Sequence, residues 1–317
     1  MLASEMNPET GELLSFSDAR ESMEEFACLV NNAGWQLDYC QLTPDLSPSS
    51  MNFVASPSVE INRFKVGSRL HHRIATPRDM YTFALLTGEQ RSSWVDGREL
   101  RPGDLLFAHS DHGIDAVNDA GFDAFVVNVS KEQMRTLADC HGLGLPEGAG
   151  TERELSSANV LALEGLLTGI QCPVGHDPQW HQRELIDTEL PLALLSAWNG
   201  TIPAPDSGAS SRMRACSRAV EYIRSAGGNV RSVQQICDAA AASYSTLERA
   251  FRERFGLSPK QYLVQFRMAG VRRELLADGH ERSITEVAHE WGFYHMGKFA
   301  ADYQAAFGEL PSQTLAA

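Results

Sequence analysis

Between residues 59 and 129 the apolar positions come in short runs, VEINRFKV, MYTFALLT, DLLFAH and DAFVVNVS, with turn residues between them. Runs of this length, rich in Val and aromatics, predict strands. In VDGRELRPGDLLFA the turns Asp96-Gly97 and Pro102-Gly103-Asp104 flank Leu100, which reads as strand, tight turn, short strand, turn, strand. A small antiparallel barrel or jelly roll turns its corners in this way. On either side the period lengthens to that of helices. Residues 15–33 predict a short amphipathic helix and residues 130–141 a second. Two more are predicted at about 152–170 and 178–199, parted by Gly175 and Pro178, with Pro191 kinking the later one. Residues 201–211, TIPAPDSGASS, have the composition of an interdomain linker. After Arg212 the whole pattern is helical.

The helix starts in this last part are legible. Ser232-x-x-Gln235 and Ser283-x-x-Glu286 are capping boxes, and Ser258-Pro259-x-Gln261 adds a third with Pro at the first helical position. Gly279 stands where a helix stop is expected after VRRELLAD. The pattern is also repeated. Leu247, Phe251, Phe255, Gly256 and Pro259 recur 52 positions on as Phe299, Tyr303, Phe307, Gly308 and Pro311. Ser232, Val233, Ile236 and Cys237 recur 51 positions on as Ser283, Ile284, Val287 and Ala288. Each unit is thus a capped short helix, a tight turn, and a second helix ending in Phe-Gly, which is helix-turn-helix grammar. Small residues fall at the close contacts, Cys237 and Ala288 in the first helices and Ala241 and Gly292 at the turns, while Ser243 and His295 are placed to cap the second helices. An apolar stripe at helical spacing is core on any reading. The doubled turn with its Phe-Gly-x-x-Pro exit is the more specific signal, and it predicts DNA binding.

Charge changes the picture only when it is partitioned. The 317 residues carry a formal charge of −14. Residues 212–317 hold fourteen Lys and Arg against eleven Asp and Glu, a charge of +3, and twelve of those cations are Arg. The first 211 residues hold thirteen against thirty, a charge of −17. Arg suits two-pronged contacts to phosphate and guanine. The length predicts two domains. No run approaches 18 apolar residues, so no membrane-spanning helix is expected, and MLASEMNPETGELL lacks the basic and apolar regions of a secretory signal. Cys28, Cys40, Cys140, Cys172, Cys216 and Cys237 are scattered without a CxxC, which favours reduced thiols in a cytoplasm over disulfides or a zinc site.

Residues 212–317 resemble the DNA-binding domain of the AraC/XylS family of bacterial transcription regulators. PKQYLVQFRMAGVRRELL, 259–276, matches the long helix that joins the two units in that family. VRRELL with WGFYHMGKFAADYQAAFGELPSQTL is most similar to the subgroup that includes the ethanolamine-utilisation regulators. The resemblance implies an α+β chain. Residues 1–200 would form an effector-binding and dimerisation domain, a small β-barrel or cupin-like fold with helices. Residues 201–211 would be the linker, and 212–317 an all-α domain of two helix-turn-helix units. It implies an activator in the cytoplasm that binds double-stranded DNA, works with RNA polymerase, answers to a small molecule, pairs as a homodimer through helices 152–170 and 178–199, and needs no cofactor.

On the first recognition helix the open face offers Ser243, Tyr244, Ser245, Thr246, Glu248, Arg249 and Arg252. Arg249 can fork onto guanine, and Glu248 can accept from cytosine or else pair with Arg252 as a surface i,i+4 pair. By family position, Ser245, Glu248 and Arg249 fall where base contacts are usual. On the second helix the matching positions are Gly297, Ala300 and Ala301, which departs from the polar residues of many family members. His295 and Lys298 remain near its start, so this unit is expected to position the protein on phosphate rather than read bases. In the acidic part, Tyr81, Phe83, Trp94, Phe107, His109 and His112 are candidate lining residues of a ligand cavity, or ordinary core and rim. Two alternatives stay open: a regulator active without effector, and a metal-binding barrel enzyme fused to a DNA-binding domain. Against the enzyme, His71-His72 point to opposite faces of a regular strand. His109 and His112 are the only other His cluster, and no GxSxG, P-loop or GxGxxG occurs.

Overall fold

The computed structural model describes residues 13–45, 47–75, 79–87, 93–109, 113–146, 151–171, 179–200, 211–230, 232–277 and 282–316. The chain forms two compact units. One comprises Met1–Asp38, Ser47–Gly67 and His72–Asp206, the other Tyr39–Leu46, Ser68–His71 and Ser207–Ala317.

The first unit is built on strands. A seven-stranded antiparallel sheet has the order β1 (Leu14–Arg20), β3 (Ser49–Ala55), β4 (Val59–Val66), β11 (Phe122–Ser130), β6 (Met80–Leu86), β9 (Asp104–His109) and β12 (Thr151–Glu154). A five-stranded sheet has the order β2 (Gln36–Gln41), β5 (Leu70–Ala75), β10 (Ile114–Asn118), β7 (Ser93–Val95) and β8 (Arg98–Leu100). The Asp96-Gly97 turn joins Val95 to Arg98 with φ +48° and +80° at its two residues, the doubly positive geometry that suits a two-residue hairpin. Gly103, at φ +90°, makes the next corner.

The large sheet has two different faces. Phe83, Leu85, Leu105, Phe107, Phe125 and Val127 share a core with helices α2 (Lys131–His141), α3 (Ser157–Gln171) and α5 (Leu190–Asn199), through Met134, Leu163 and Trp198. The alternate residues Ala84, Leu86, Leu106 and Ala108 pack instead on Val95, Leu100, Ile114 and Ala116 of the small sheet. Burial by both partners explains why the strands read as continuous apolar runs rather than alternating ones.

Three expectations change. Residues 14–20, LSFSDAR, form a strand in full register with β3, from Leu14 opposite Ala55 to Arg20 opposite Ser49, and Phe16 stacks on Phe53 at 5.1 Å. Helix α1 (Met23–Asn32) starts only after the Ser22 cap, because the apolar period of two before it satisfies the edge of β3 first. Residues 151–154 likewise pair with β9 instead of opening a helix. The stretch from 179 is helix α4 (Gln179–Glu184), a π-helical turn over Leu185–Glu189, and α5. The wide turn precedes Pro191, which has no N–H to give Asp187 four residues back. The carbonyl of Asp187 accepts from Nε2 of Gln133 at 2.7 Å instead. The 201–210 part of the expected linker, and Gly279, lie outside the described residues.

The second unit is helical from α6 (Ser211–Ala226) onward, through α7 (Val233–Ala240), α8 (Tyr244–Phe255), α9 (Pro259–Ala277), α10 (Ile284–Glu290), α11 (Met296–Phe307) and α12 (Pro311–Ala316). Both capping boxes form: Ser232 with Gln235, and Ser283 with Glu286. Ser258 and Gln261 make the third, since the Ser258 N–H donates to Oε1 of Gln261 and the Gln261 N–H to Oγ of Ser258. Among the described residues no helix is long and apolar enough to cross a membrane.

Candidate nucleic-acid interface

The repeat in the sequence is a repeat in space. Helix α7 ends on Ala241 in the left-handed region, and α8 begins two residues later on Ser243, whose Oγ accepts from the Thr246 N–H at 3.3 Å. Helix α10 ends at Trp291-Gly292, with Gly292 at φ +85°, and α11 follows. His295 occupies the start of α11 but makes no side-chain cap there, unlike Ser243. An imidazole lacks the short, single acceptor that lets a Ser oxygen turn back onto the third N–H.

The stripe that buries each second helix is as expected. Leu247, Phe251 and Phe255 are fully buried, and Phe255 packs at a tilt against Tyr262 of α9 at 4.6 Å. Phe299 and Tyr303 are buried with Val271, Leu275 and Val287, while Phe307 is half-buried under the Arg272 guanidinium at 4.6 Å. Gly270 of α9 lies directly beneath the Trp291 ring, where a Cβ would overlap the ring carbons. The indole N–H of Trp291 donates to Glu274 at 2.8 Å.

The opposite face of α8 is open. Tyr244 is 46 % exposed, Ser243, Ser245, Arg249 and Arg252 are exposed, and Thr246 and Glu248 are half-buried. The hydroxyls at its start are close together: Oγ of Ser243 lies 3.0 Å from Oγ of Ser245 and 2.9 Å from Oγ1 of Thr246. Arg252 donates to Glu248 at 3.4 Å, so the surface i,i+4 pair does form, one turn from Arg249. On α11, His295, Gly297, Lys298 and Ala301 are exposed, and Lys298 donates to Asp302 at 2.7 Å. The first helix therefore presents a cation and hydroxyls on one open face. The second presents one cation, already paired, beside small apolar side chains.

Tyr294 was not among the sequence candidates. It is 60 % exposed at the turn before α11, with its ring 5.6 Å from that of His289. A large aromatic just after the turn glycine was the available signal.

Phe83 and Phe107 lie 5.4 Å apart in the core on the helix-covered face of the large sheet, with Tyr81 packed against the same cluster. Trp94 alternates with Val95, which faces between the sheets, so Trp94 points out of that space. None of the four lies between the sheets. The His109 side chain and His112 lie outside the described residues. Among the described residues no group of three or more His, Cys, Asp or Glu is placed to hold a metal ion.

Residues 236–317 match a family described as a helix-turn-helix domain. The XylDLEGF operon transcriptional activator 3 of Pseudomonas putida is 28 % identical over 224 residues, 68 % of this chain and 65 % of its own. The probable thc operon regulatory protein of Rhodococcus erythropolis is 35 % identical over 98 residues, 31 % of this chain and 30 % of its own. The chain thus matches less than two thirds of the length of either relative. Both relatives are described as operon regulators. Among solved structures, that of the AraC-like transcriptional activator CuxR covers 84 % of this chain and 96 % of its own at 15 % identity, with a TM-score of 0.46.

Proposed function

We propose that the protein is a sequence-specific, double-stranded-DNA-binding transcription activator of the AraC/XylS type, working in the cytoplasm. The observation that carries this is the doubled arrangement of a capped helix, a left-handed turn residue and a second helix buried on one face only. We read it as two helix-turn-helix units joined by α9, spaced to enter successive major-groove segments roughly 34 Å apart on one face of DNA. Arg249 reads a base, with Tyr244, Ser245 and Thr246 beside it. Glu248 serves mainly to hold Arg252 toward the backbone. The second unit positions the protein through His295, Lys298 and Tyr294, while Gly297 and Ala301 allow close approach. In this reading residues 1–200 sense a small molecule and form the homodimer, and the bound activator recruits RNA polymerase. The similarity of VRRELL and WGFYHMGKFAADYQAAFGELPSQTL favours the ethanolamine-utilisation subgroup.

The test is selection of bound sequences from randomised duplexes with the full chain, followed by affinity measurements at two salt concentrations. Recovery of a motif spanning two groove segments, with affinity falling steeply with salt through counterion release, is expected. Binding with no recovered motif would defeat the reading.

A further inference from the structure

One polar row crosses the face that the large sheet turns to the small one. Val59 and Ile61 of β4 and Phe125, Val127 and Val129 of β11 belong to the helix-side core, so Glu60, Asn62 and Asn128 alternate to the other face. Asn128 stands opposite Glu60 in β4 and opposite Thr82 in β6. Oγ1 of Thr82 donates to Oδ1 of Asn128 at 2.8 Å, and Nδ2 of Asn128 donates to Oε2 of Glu60 at 3.0 Å. Thr82 and Asn128 are fully buried. The row is three strands wide and linked by hydrogen bonds, with one Glu60 oxygen left over.

Asn62 is not. It sits on the same face, two residues along β4 from Glu60, between Phe53 on one side and Val126 on the other. It is 0 % exposed, and both Oδ1 and Nδ2 are buried without a hydrogen-bond partner. Buried amides nearly always find partners. A leucine would fill the position at no polar cost, so folding gives no reason for an amide here.

We infer that Asn62 and Glu60 form the polar end of a small-molecule site between the sheets, taking a ligand that donates hydrogen bonds through an amino or hydroxyl group. This rests on the proposed control by an effector and gives it a place and a chemistry. The open valences are mostly acceptors: Oδ1 of Asn62 and the Glu60 oxygen that Asn128 does not engage. The only donor left over on Asn62 is its own amide. Anions are disfavoured, because the neighbouring cations Arg63 and Lys65 alternate to the opposite face, where both pair with Asp123. The apolar surroundings, Ala84, Leu86, Leu106 and Ala108 among them, suit a short hydrocarbon body. Burial also pushes the Glu60 carboxyl above its ordinary range, a cost to its charged form that a paired ammonium would offset.

The experiment is thermal denaturation of the full chain titrated with n-butylamine, benzylamine, 1,2-butanediol and a free aldopentose, with butyrate and benzoate as anionic counterparts. At least one amine or alcohol should raise Tm saturably while its anionic counterpart does not. Asn62→Leu should melt at or above the wild type and lose the shift. Glu60→Gln should weaken an amine's shift and keep an alcohol's. A shift retained in Asn62→Leu overturns this site and leaves effector control standing elsewhere. Absence of any saturable shift in the wild type also overturns it, and a lower-melting Asn62→Leu would then identify a buried water as the amide's partner. If a probe binds through Asn62 yet leaves affinity for the selected DNA unchanged, the site stands and the control reading falls.

Discussion

Ala241 and Gly292 occupy matching places in the two helix pairs, one and two residues past the first helix, and both are left-handed, at φ +48° and +85°. The two positions are not equally comfortable. A Cβ in this region costs roughly 1 kcal/mol, so the first turn carries a strain that the second avoids. Ala241→Gly should therefore raise the stability of the full chain slightly or leave it unchanged, as relief of the turn is set against a looser unfolded chain. Gly292→Ala should lower it by ~1 kcal/mol or more, since the new Cβ would also stand 3.2 Å from the Arg267 guanidinium. Urea denaturation of both variants decides this, and equal effects of the same sign would show that the turns are not equivalent.

Gly270 makes a sharper case. Ala normally gains about 0.8–1.0 kcal/mol over Gly in a helix interior. Here the Trp291 ring occupies the place of the methyl group. Gly270→Ala should be destabilising in spite of its propensity, and Trp291 fluorescence should report a displaced, more exposed indole. Net stabilisation would mean that the ring does not need that seat.

Local chemistry was legible in the sequence, and facing was not. Ser232 with Gln235 and Ser283 with Glu286 are contacts across three residues, so their residue types suffice to announce them. The phase of the Leu247, Phe251, Phe255 stripe follows from helical period alone. Alternation along β6 and β9 shows that Phe83 and Ala84 point opposite ways, but not which side the helices cover. Both faces are apolar, and the larger residues belong to the helix side. The polar row was visible only as isolated letters in VEINRFKV and DAFVVNVS. It takes the register of β4, β11 and β6 to bring Glu60, Asn128 and Thr82 side by side. Pairing of residues 14–20 with β3 is a contact across 29 to 41 positions, beyond the reach of a local period.

Glu60 and Glu286 give opposite pH signatures. Burial raises the Glu60 carboxyl, outweighing the Asn128 hydrogen bond that lowers it. Its contribution to stability is present in full below the unfolded pKa and is lost as pH rises through the folded one. Glu286 is lowered, first by its bond with the Ser283 backbone N–H and then by the Ser283 hydroxyl. Its contribution is present above the unfolded pKa and is lost as pH falls through the folded one. Glu60→Gln should thus stabilise the protein at neutral pH by more than at acid pH. Glu286→Gln should destabilise at neutral pH and converge on the wild type in acid. Denaturation midpoints across the carboxylate range check both, and parallel curves for either variant would remove that residue from the account.

The two exposed helices should fail differently when cut back. If Arg249 forks onto guanine, Arg249→Ala should cost ~1–3 kcal/mol and relax preference at one base pair. Lys298 is 75 % exposed at its side chain and shared with Asp302, so in the proposed reading it would hold phosphate weakly. Lys298→Ala should weaken binding to all sequences by a similar factor and reduce the salt slope by ~1 at most. Asp302→Asn removes the competitor and should strengthen binding to all sequences alike, without changing the selected motif. Ala301→Arg adds a forked donor to a face that has none, and should create a preference for guanine in the second groove segment. Selection from randomised DNA at fixed salt separates these outcomes. A motif altered by Lys298→Ala or by Asp302→Asn, or one left intact by Arg249→Ala, would show that reading and positioning are not divided between α8 and α11 in this way.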